Sequence, residues 1–191
     1  FNSKNFFLRS TYDFNDKSKL SMDITYFTYL SQQAGGLNDA MFNNDPFQSN
    51  RARNWFNVDW FLYNLKFEHK FNDSKILSLN LFGLNAVRNA LGFRVNRVDQ
   101  IDSNDVRDLI NGDFNNFGIE SKYLSNYNLF NNKSIFVIGS KVYISRNYSR
   151  QGPGSEYSDA DFNFYDNEFP NYVNQSDYKY PNQNISIFGE T

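Results

Sequence analysis

The stretch Leu20–Ser31, LSMDITYFTYLS, decides the fold class of this chain. Its even-numbered residues are apolar apart from Thr28, and its odd-numbered residues are mostly polar. This two-residue period is typical of a β-strand with one apolar face. At about 3.3 Å per residue and a tilt of about 45°, such a strand rises about 28 Å, close to the hydrocarbon thickness of a bilayer. Taken alone, the stretch fits a soluble sandwich and a membrane barrel equally well.

The composition narrows the class of protein. Of 191 residues, 40% are hydrophobic and 19% aromatic, and the mean hydropathy is -0.67. A disordered chain is excluded because disordered segments are poor in aromatic residues. A transmembrane helix is excluded because the chain has no uncharged apolar run of about eighteen residues. Outer-membrane barrels combine low hydropathy with many aromatic residues, since only alternate residues face lipid.

Charge and cysteine content argue against other classes. A net charge of -2 argues against a nucleic-acid partner. The chain has no cysteine, which excludes disulfides and thiolate metal sites. No charged-then-apolar leader precedes Phe1, so a signal peptide is expected to have been removed or to lie outside this sequence.

Alternation recurs along the chain. It predicts strands at 6–14, 20–31, 56–71, 77–82, 117–129 and 136–144, and one that begins at 185. A change of parity within the third strand predicts a β-bulge near Asn64. A short helix is predicted over 103–110, with Ser103 as its N-cap and Gly112 as its stop.

Short and long connections alternate between these strands. Short turns centre near residues 16, 73 and 132, whereas the segments 32–54, 88–113 and 147–182 are long. Soluble domains join most elements with about four to six residues, but outer-membrane barrels have short periplasmic turns and long extracellular loops. The sequence therefore predicts an all-β fold: about seven long antiparallel transmembrane strands of a larger up-and-down β-barrel. Because seven strands cannot close, residues 1–191 are expected to form a partial barrel domain.

Six short segments carry a family resemblance. They are RARNWFNV at 51–58, RNALGF at 88–93, SRQGPGS at 149–155, SDADFNF at 158–164, FPNY at 169–172 and IFGE at 187–190. They resemble segments of TonB-dependent outer-membrane receptors of the ferric-citrate (iron dicitrate) type from Bacteroidetes. The resemblance implies a barrel of about 22 strands with an N-terminal plug, driven by the TonB complex of the inner membrane. Neither the plug nor the coupling motif is present in these residues.

The resemblance also implies a location and a function. The location is the outer membrane of a Gram-negative bacterium, with outer-membrane lipid as a partner. The function is active import of a ferric chelate, ferric citrate or another siderophore, with no enzyme activity and no cofactor apart from the transported ligand. Two alternatives remain open: import of a glycan or oligopeptide, and a soluble carbohydrate-binding β-domain, which would purify without detergent. In the glycan alternative, loop aromatics would be stacking platforms, namely Trp55, Phe162, Phe164 and Tyr165.

Arginine and lysine are distributed differently. Eight of the nine arginines lie in or beside the long loops, whereas several lysines lie near the short turns. A guanidinium can bind a carboxylate through two parallel hydrogen bonds, which suits a ferric dicitrate. Loop arginines could equally pair with loop acids such as Asp99 and Asp105. The candidate ligand-binding residues are Arg51, Arg53, Arg88, Arg94, Arg97 and Arg150, with Gln151 as a neutral donor.

Catalytic and metal chemistry find little support. His69 lies three residues before a short turn, away from the long loops, so no loop Ser or Asp could complete a triad with it. The segment from Asp159 has Phe164 and Pro170 where a calcium loop needs Gly and Glu. No catalytic residue or metal ligand is predicted. Glu120 and Lys122 are expected to form a lumenal ion pair. The side chains expected to contact lipid are Leu20, Met22, Ile24, Trp60 and Ile138.

Overall fold

The computed structural model describes residues 1–95, 97–130, 132–165 and 176–191. Its strands are β1 (Asn2–Asn15), β2 (Ser18–Gln32), β3 (Trp55–Asn72), β4 (Lys75–Gly92), β5 (Asp108–Leu129), β6 (Asn132–Pro153) and β7 (Ser176–Glu190). One short helix, α1 (Asp39–Asn44), follows β2 and is capped by the Asn38 side chain. No helix in these ranges is long and apolar enough to cross a membrane. Asn131 of the third turn and the FPNY match at 169–172 lie outside the described residues.

The strands form one antiparallel sheet in the order β1-β2-β3-β4-β5-β6-β7. Each strand therefore pairs with its neighbours in sequence, which confirms the all-β, up-and-down prediction. Tight turns join β1 to β2, β3 to β4 and β5 to β6, and we call this edge the turn end. Long segments follow β2, β4 and β6 at the opposite edge, which we call the loop end.

Several strands extend further toward the loop end than the sequence predicted. β4 continues to Gly92 and β5 begins at Asp108, inside the predicted loop 88–113. β6 continues to Pro153 and β7 begins at Ser176, inside the predicted loop 147–182. These strand ends are rich in Asn, Gly and Ser, which have low β-propensity, and pairing with long neighbours overrides that preference.

The predicted helix over 103–110 is wrong. Residues 103–107 have no regular helix, and from Asp108 onward the chain pairs with β4 and β6. A helix of about two turns is marginal in water, so two ladders of backbone hydrogen bonds outweigh its local preference.

The register assigns the strand residues to two faces. One face, called the Ile24 face, carries a continuous apolar band toward the turn end. The other, called the Asp23 face, carries ion pairs at the same height, including the expected Lys122–Glu120 pair, whose nitrogen and oxygen lie 2.6 Å apart. The apolar band comprises Leu8, Leu20, Met22, Ile24, Leu65, Leu79, Leu81, Ile119, Ile138, Val142, Ile185 and Ile187.

The predicted β-bulge near Asn64 is also wrong. β3 pairs with both β2 and β4 without a register shift at this residue. The change of parity arises because each face changes character along the strand. The Ile24 face turns polar toward the loop end, at Asn57 and Asp59, while the Asp23 face becomes aromatic there.

Trp60 consequently lies on the other face from the one predicted. Its partner is Phe27, so it belongs to the Asp23 face and not with Ile24 in the apolar band. Continuous β pairing fixes this assignment, because neighbouring residues of a strand point to opposite faces.

Candidate functional site

Buried arginines connect the loops at the loop end. Arg51 and Arg53 each expose 7% of their surface and Arg107 only 1%. Such burial of a charged side chain is rare unless the charge is paired and its donors are satisfied. The contacts of these residues therefore indicate what the arginines do.

Arg53 joins the first loop to the other two. Its Nε and Nη2 donate to the two carboxylate oxygens of Asp102 at 2.8 and 2.5 Å. Its Nη1 donates to the backbone carbonyl of Glu156 at 2.6 Å. The Asp102 carboxylate in turn raises the pKa of Arg53, mainly through the side-chain hydrogen bond. This fork is the bidentate geometry that a ligand carboxylate would need, and it is occupied from within the chain.

Arg107 is the most deeply buried of the three. Its Nε donates to the carbonyl of Ser155 at 2.8 Å, and its Nη1 donates to the carbonyls of Arg53 and Asp159 at 2.9 and 2.8 Å. Nη2 lies 3.6 Å from the carboxylate of Asp159, whose side chain is 68% exposed. Burial lowers the pKa of Arg107, and the nearby charge of Arg53 lowers it further.

The Arg51 side chain binds backbone carbonyls, including one of the second loop. Its Nη1 donates to the carbonyls of Asn50 and Gln100 at 2.6 and 3.1 Å, and its guanidinium lies 5.4 Å from the centre of the Phe93 ring. Cation–π contact and carbonyl bonding together satisfy a buried guanidinium. Arg51, Arg53 and Arg107 thus fasten three loops to one another.

A small apolar core supports this loop cluster on the Ile24 face. Leu91 and Leu109 are paired across β4 and β5 and expose 2% and 0% of their surface. A Cβ added at Gly154 would lie 2.6 Å from Leu91 Cδ1, so a larger residue there would have to displace the buried Leu91 side chain. The Trp55 indole nitrogen donates to the carbonyl of Ser158 at 2.8 Å. Residues 154–158 therefore pack over the Ile24 face.

The Arg53–Asp102 contact predicts a pH dependence. The hydrogen bond from Arg53 holds the pKa of Asp102 below its usual value, so the ionised carboxylate stabilises the folded loops. That contribution is complete above the unfolded-state pKa of about 3.9 and is lost as the pH falls through the folded-state pKa. Asp102→Asn should therefore destabilise the protein at neutral pH, and the difference from wild type should shrink below about pH 4. Denaturant titrations of wild type and Asp102→Asn from neutral pH to below pH 4 measure this difference in unfolding free energy. A difference that does not change with pH would contradict the prediction.

The structure separates the other predicted ligand residues. Arg88, Arg94 and Arg97 are exposed, and Arg97 lies 3.6 Å from Asp99. Arg150 lies on the Ile24 face, with its Nε 3.4 Å from the carboxylate of Asp177. Arg88 and Gln151 lie on the Asp23 face. The candidate residues thus do not form one cluster, and their role in ligand binding stays a prediction.

Arg88 occupies a distinctive position on the Asp23 face. We define the upper Asp23 face as three successive rows of this face near the loop end, which lie just before its terminal row Gly92–Asp108–Pro153. Arg88 is the one charged side chain in the three rows. The residues in register with it in its own row are Tyr29, Val58, Gly112, Ser149 and Tyr178. Within the described ranges, it has no hydrogen bond or ion pair. The rows comprise Ser3, Asn5, Phe27, Tyr29, Ser31, Phe56, Val58, Trp60, Ala86, Arg88, Ala90, Ile110, Gly112, Phe114, Asn147, Ser149, Gln151, Ser176, Tyr178 and Tyr180.

Arg107 is one of the eight arginines in or beside the long loops, and its structural role was not predicted from the sequence. No local signal could have separated it from the others, because the sequence predicted a strand only from residue 117, whereas β5 begins at Asp108, directly after Arg107. His69, the single histidine, accepts or donates a 2.8 Å hydrogen bond with Ser18 near the turn end. No group of three or more His, Cys, Asp or Glu in the described ranges could hold a metal ion.

The sheet has the features of the wall of an outer-membrane β-barrel fold: long up-and-down strands, short turns at one edge, long loops at the other and one apolar face. Among solved structures, the ferric citrate transporter FecA in its unliganded form is similar, with a TM-score of 0.69 and 15% sequence identity. The match covers 78% of this chain and 21% of FecA, so the chain spans about a fifth of that transporter. No family model matches the chain. No curated protein matches it in sequence.

Proposed function

We propose that this chain is part of an outer-membrane receptor that actively imports a ferric chelate, with energy from the TonB complex of the inner membrane. The FecA-like fold supports an outer-membrane transporter. The resemblance of the loop segments supports a ferric chelate, with ferric citrate or another siderophore as the cargo. Segments outside these residues would contact the coupling complex and would supply the plug.

The two faces support an orientation in the membrane. The Ile24 face, with its band of Leu, Ile and Val, contacts outer-membrane lipid, and the Asp23 face, with its ion pairs, lines the lumen. The turn end is then periplasmic and the loop end extracellular. In this orientation the upper Asp23 face borders the extracellular entrance of the lumen.

Arg88 is the observation that carries the ligand proposal. A ferric chelate with free carboxylates or phenolates is an anion, and an exposed guanidinium without an internal partner can bind it by charge-assisted hydrogen bonds. Arg51 and Arg53 would have to release several carbonyls and the Asp102 carboxylate before they could do so. Arg88 is therefore our first candidate among the arginines, with Gln151 on the same face as a neutral donor.

Arg88→Lys should weaken ferric-chelate binding by about 1.5 to 3 kcal/mol, roughly 10- to 150-fold, because lysine keeps the charge but loses the planar fork. Calorimetry with ferric citrate and with an uncharged siderophore complex measures this change. An oligosaccharide in the same series tests the glycan alternative.

Arg150→Lys is the matched control for this prediction, because Arg150 lies on the Ile24 face at the same loop end. Lys133→Arg, beside a periplasmic turn, is a second control and should leave affinity unchanged. Equal ferric-chelate affinity in wild type, Arg88→Lys and Arg150→Lys would remove Arg88 from the ligand site.

A further inference from the structure

Four aromatic side chains form a connected cluster on the upper Asp23 face. Phe27 stacks on Tyr29 with ring centres 6.3 Å apart and an interplanar angle of 26°. Phe27 meets Trp60 edge-on at 6.3 Å, and Tyr29 meets Phe56 edge-on at 6.2 Å. The cluster spans β2 and β3 and lies on one side of Arg88, separated from it by Val58.

The cluster extends across the sheet in the row through Trp60. Ala86 follows Trp60 in register and Phe114 follows Ala86, so a small residue lies between two aromatic ones. Ala86 is 6% exposed and Trp60 is 39% exposed. On β7, Tyr178 and Tyr180 add two more rings with centres 6.0 Å apart. Arg88 thus lies between aromatic groups on both sides.

This surface is unusual for the lumenal wall of a barrel. Lumenal side chains are commonly polar, as they are on this same face toward the turn end, where Arg9 pairs with Asp23. Phe27, Tyr29 and Phe56 are half-buried, whereas Trp60, Tyr178 and Tyr180 are 39%, 56% and 52% exposed. Exposed aromatic rings grouped on one surface mark a binding surface, because a partner that covers them gains their burial. The third-loop segment 154–158 does not provide that cover, because it packs over the opposite face.

We infer that the imported chelate carries aromatic rings, as in a complex of iron with hydroxyaryl chelators. The inference rests on the proposed function and names the substrate class. Ring faces of such a complex stack on Trp60, Phe27 or Tyr29, and Arg88 attracts its negative charge. A compact aliphatic polyanion would need several guanidinium groups, and the upper Asp23 face offers one.

Trp60→Ala and Phe61→Ala make a matched pair for the test. The two residues are adjacent in β3 and equally exposed, each at 39%, but Trp60 lies on the Asp23 face and Phe61 on the Ile24 face. The probes are a ferric tris-catecholate, ferric dicitrate and a linear maltooligosaccharide, titrated by calorimetry into the intact receptor in detergent. Trp60→Ala should weaken catecholate binding roughly 5- to 100-fold, the scale of a lost aromatic stacking contact, and Trp60→Phe should restore most of it. Phe61→Ala should leave binding unchanged.

The outcomes separate the inference from the proposed function. If wild type binds ferric dicitrate and Trp60→Ala binds both ferric probes as wild type does, the ring inference is overturned and the ferric function stands. If wild type binds only the maltooligosaccharide and Trp60→Ala weakens it, the cluster is a sugar platform and the ferric function fails. Binding of the catecholate with equal loss in both alanine variants would overturn the inference, because loss at Phe61 would reflect a general disturbance of β3.

Discussion

Arg107→Ala is expected to lower the free energy of unfolding by about 3 to 5 kcal/mol, the scale of a broken buried ionic network. The substitution removes donors to the carbonyls of Ser155, Arg53 and Asp159. Ser155 and Arg53 are buried, so their carbonyls would lose these partners away from water. Unsatisfied buried acceptors are costly, and the lost side chain also leaves a cavity. The measurement is equilibrium unfolding in denaturant of the protein in lipid vesicles, with hydrogen exchange at 154–158 as a local probe.

Arg97→Ala is the control, because the Arg97 side chain is 73% exposed and its ion-pair partner Asp99 is 56% exposed. Exposed pairs contribute about 0 to 1 kcal/mol. A loss at Arg107 no larger than that at Arg97 would show that the carbonyls find other partners or water. In that case the buried arginines would not be what holds the loops together.

The fold was predictable where the sequence alternates without interruption. Leu20–Ser31 gave the period and the length of a strand, and its neighbours in the sheet repeat both. The positions of the three tight turns then gave the up-and-down order, because Asn, Asp and Ser mark such turns by bonding their own backbone. Strand ends toward the loops were missed because their residues have low β-propensity and are held by pairing with neighbours.

The bulge at Asn64 was predicted from the change of parity in β3. That rule holds only where each face of the strand has the same surroundings along its whole length. A change of parity means a bulge if each face keeps one kind of neighbour along its whole length. In β3 the surroundings of each face change along the strand. Its apolar residues therefore lie on the Ile24 face toward the turn end and on the Asp23 face toward the loop end, without a shift of register. Trp60 was assigned to the wrong face by the same assumption.

The candidate site was harder to predict because arginines with different roles look alike in the sequence. Arg53 contacts Asp102 and Glu156, which are 49 and 103 residues away in the chain. No local pattern encodes contacts at that separation, which depend on how three loops pack together. The face of Arg88, by contrast, follows from strand register once the strand is known to extend to Gly92.

Leu65→Arg should cost about 2 to 4 kcal/mol of unfolding free energy, whereas Leu62→Arg should cost far less. Both leucines lie in β3 and each is 37% exposed, but Leu65 belongs to the Ile24 face and Leu62 to the Asp23 face. If the Ile24 face contacts lipid, arginine at Leu65 must enter hydrocarbon, while arginine at Leu62 projects into the lumen. Ile24→Arg on β2 should behave as Leu65→Arg does.

Equilibrium unfolding of the variants in lipid vesicles distinguishes a β3 with a bulge from one without, and a membrane barrel from a soluble domain. With a bulge at Asn64, residues 62 and 65 would share one face and both arginines would be equally costly. With the unbroken register of β3, only the odd-numbered position enters lipid. In a soluble domain, neither cost would depend on the presence of lipid. A large, lipid-dependent cost at Leu65 alone therefore supports both the register and the membrane orientation, and equal costs at the two leucines would contradict them.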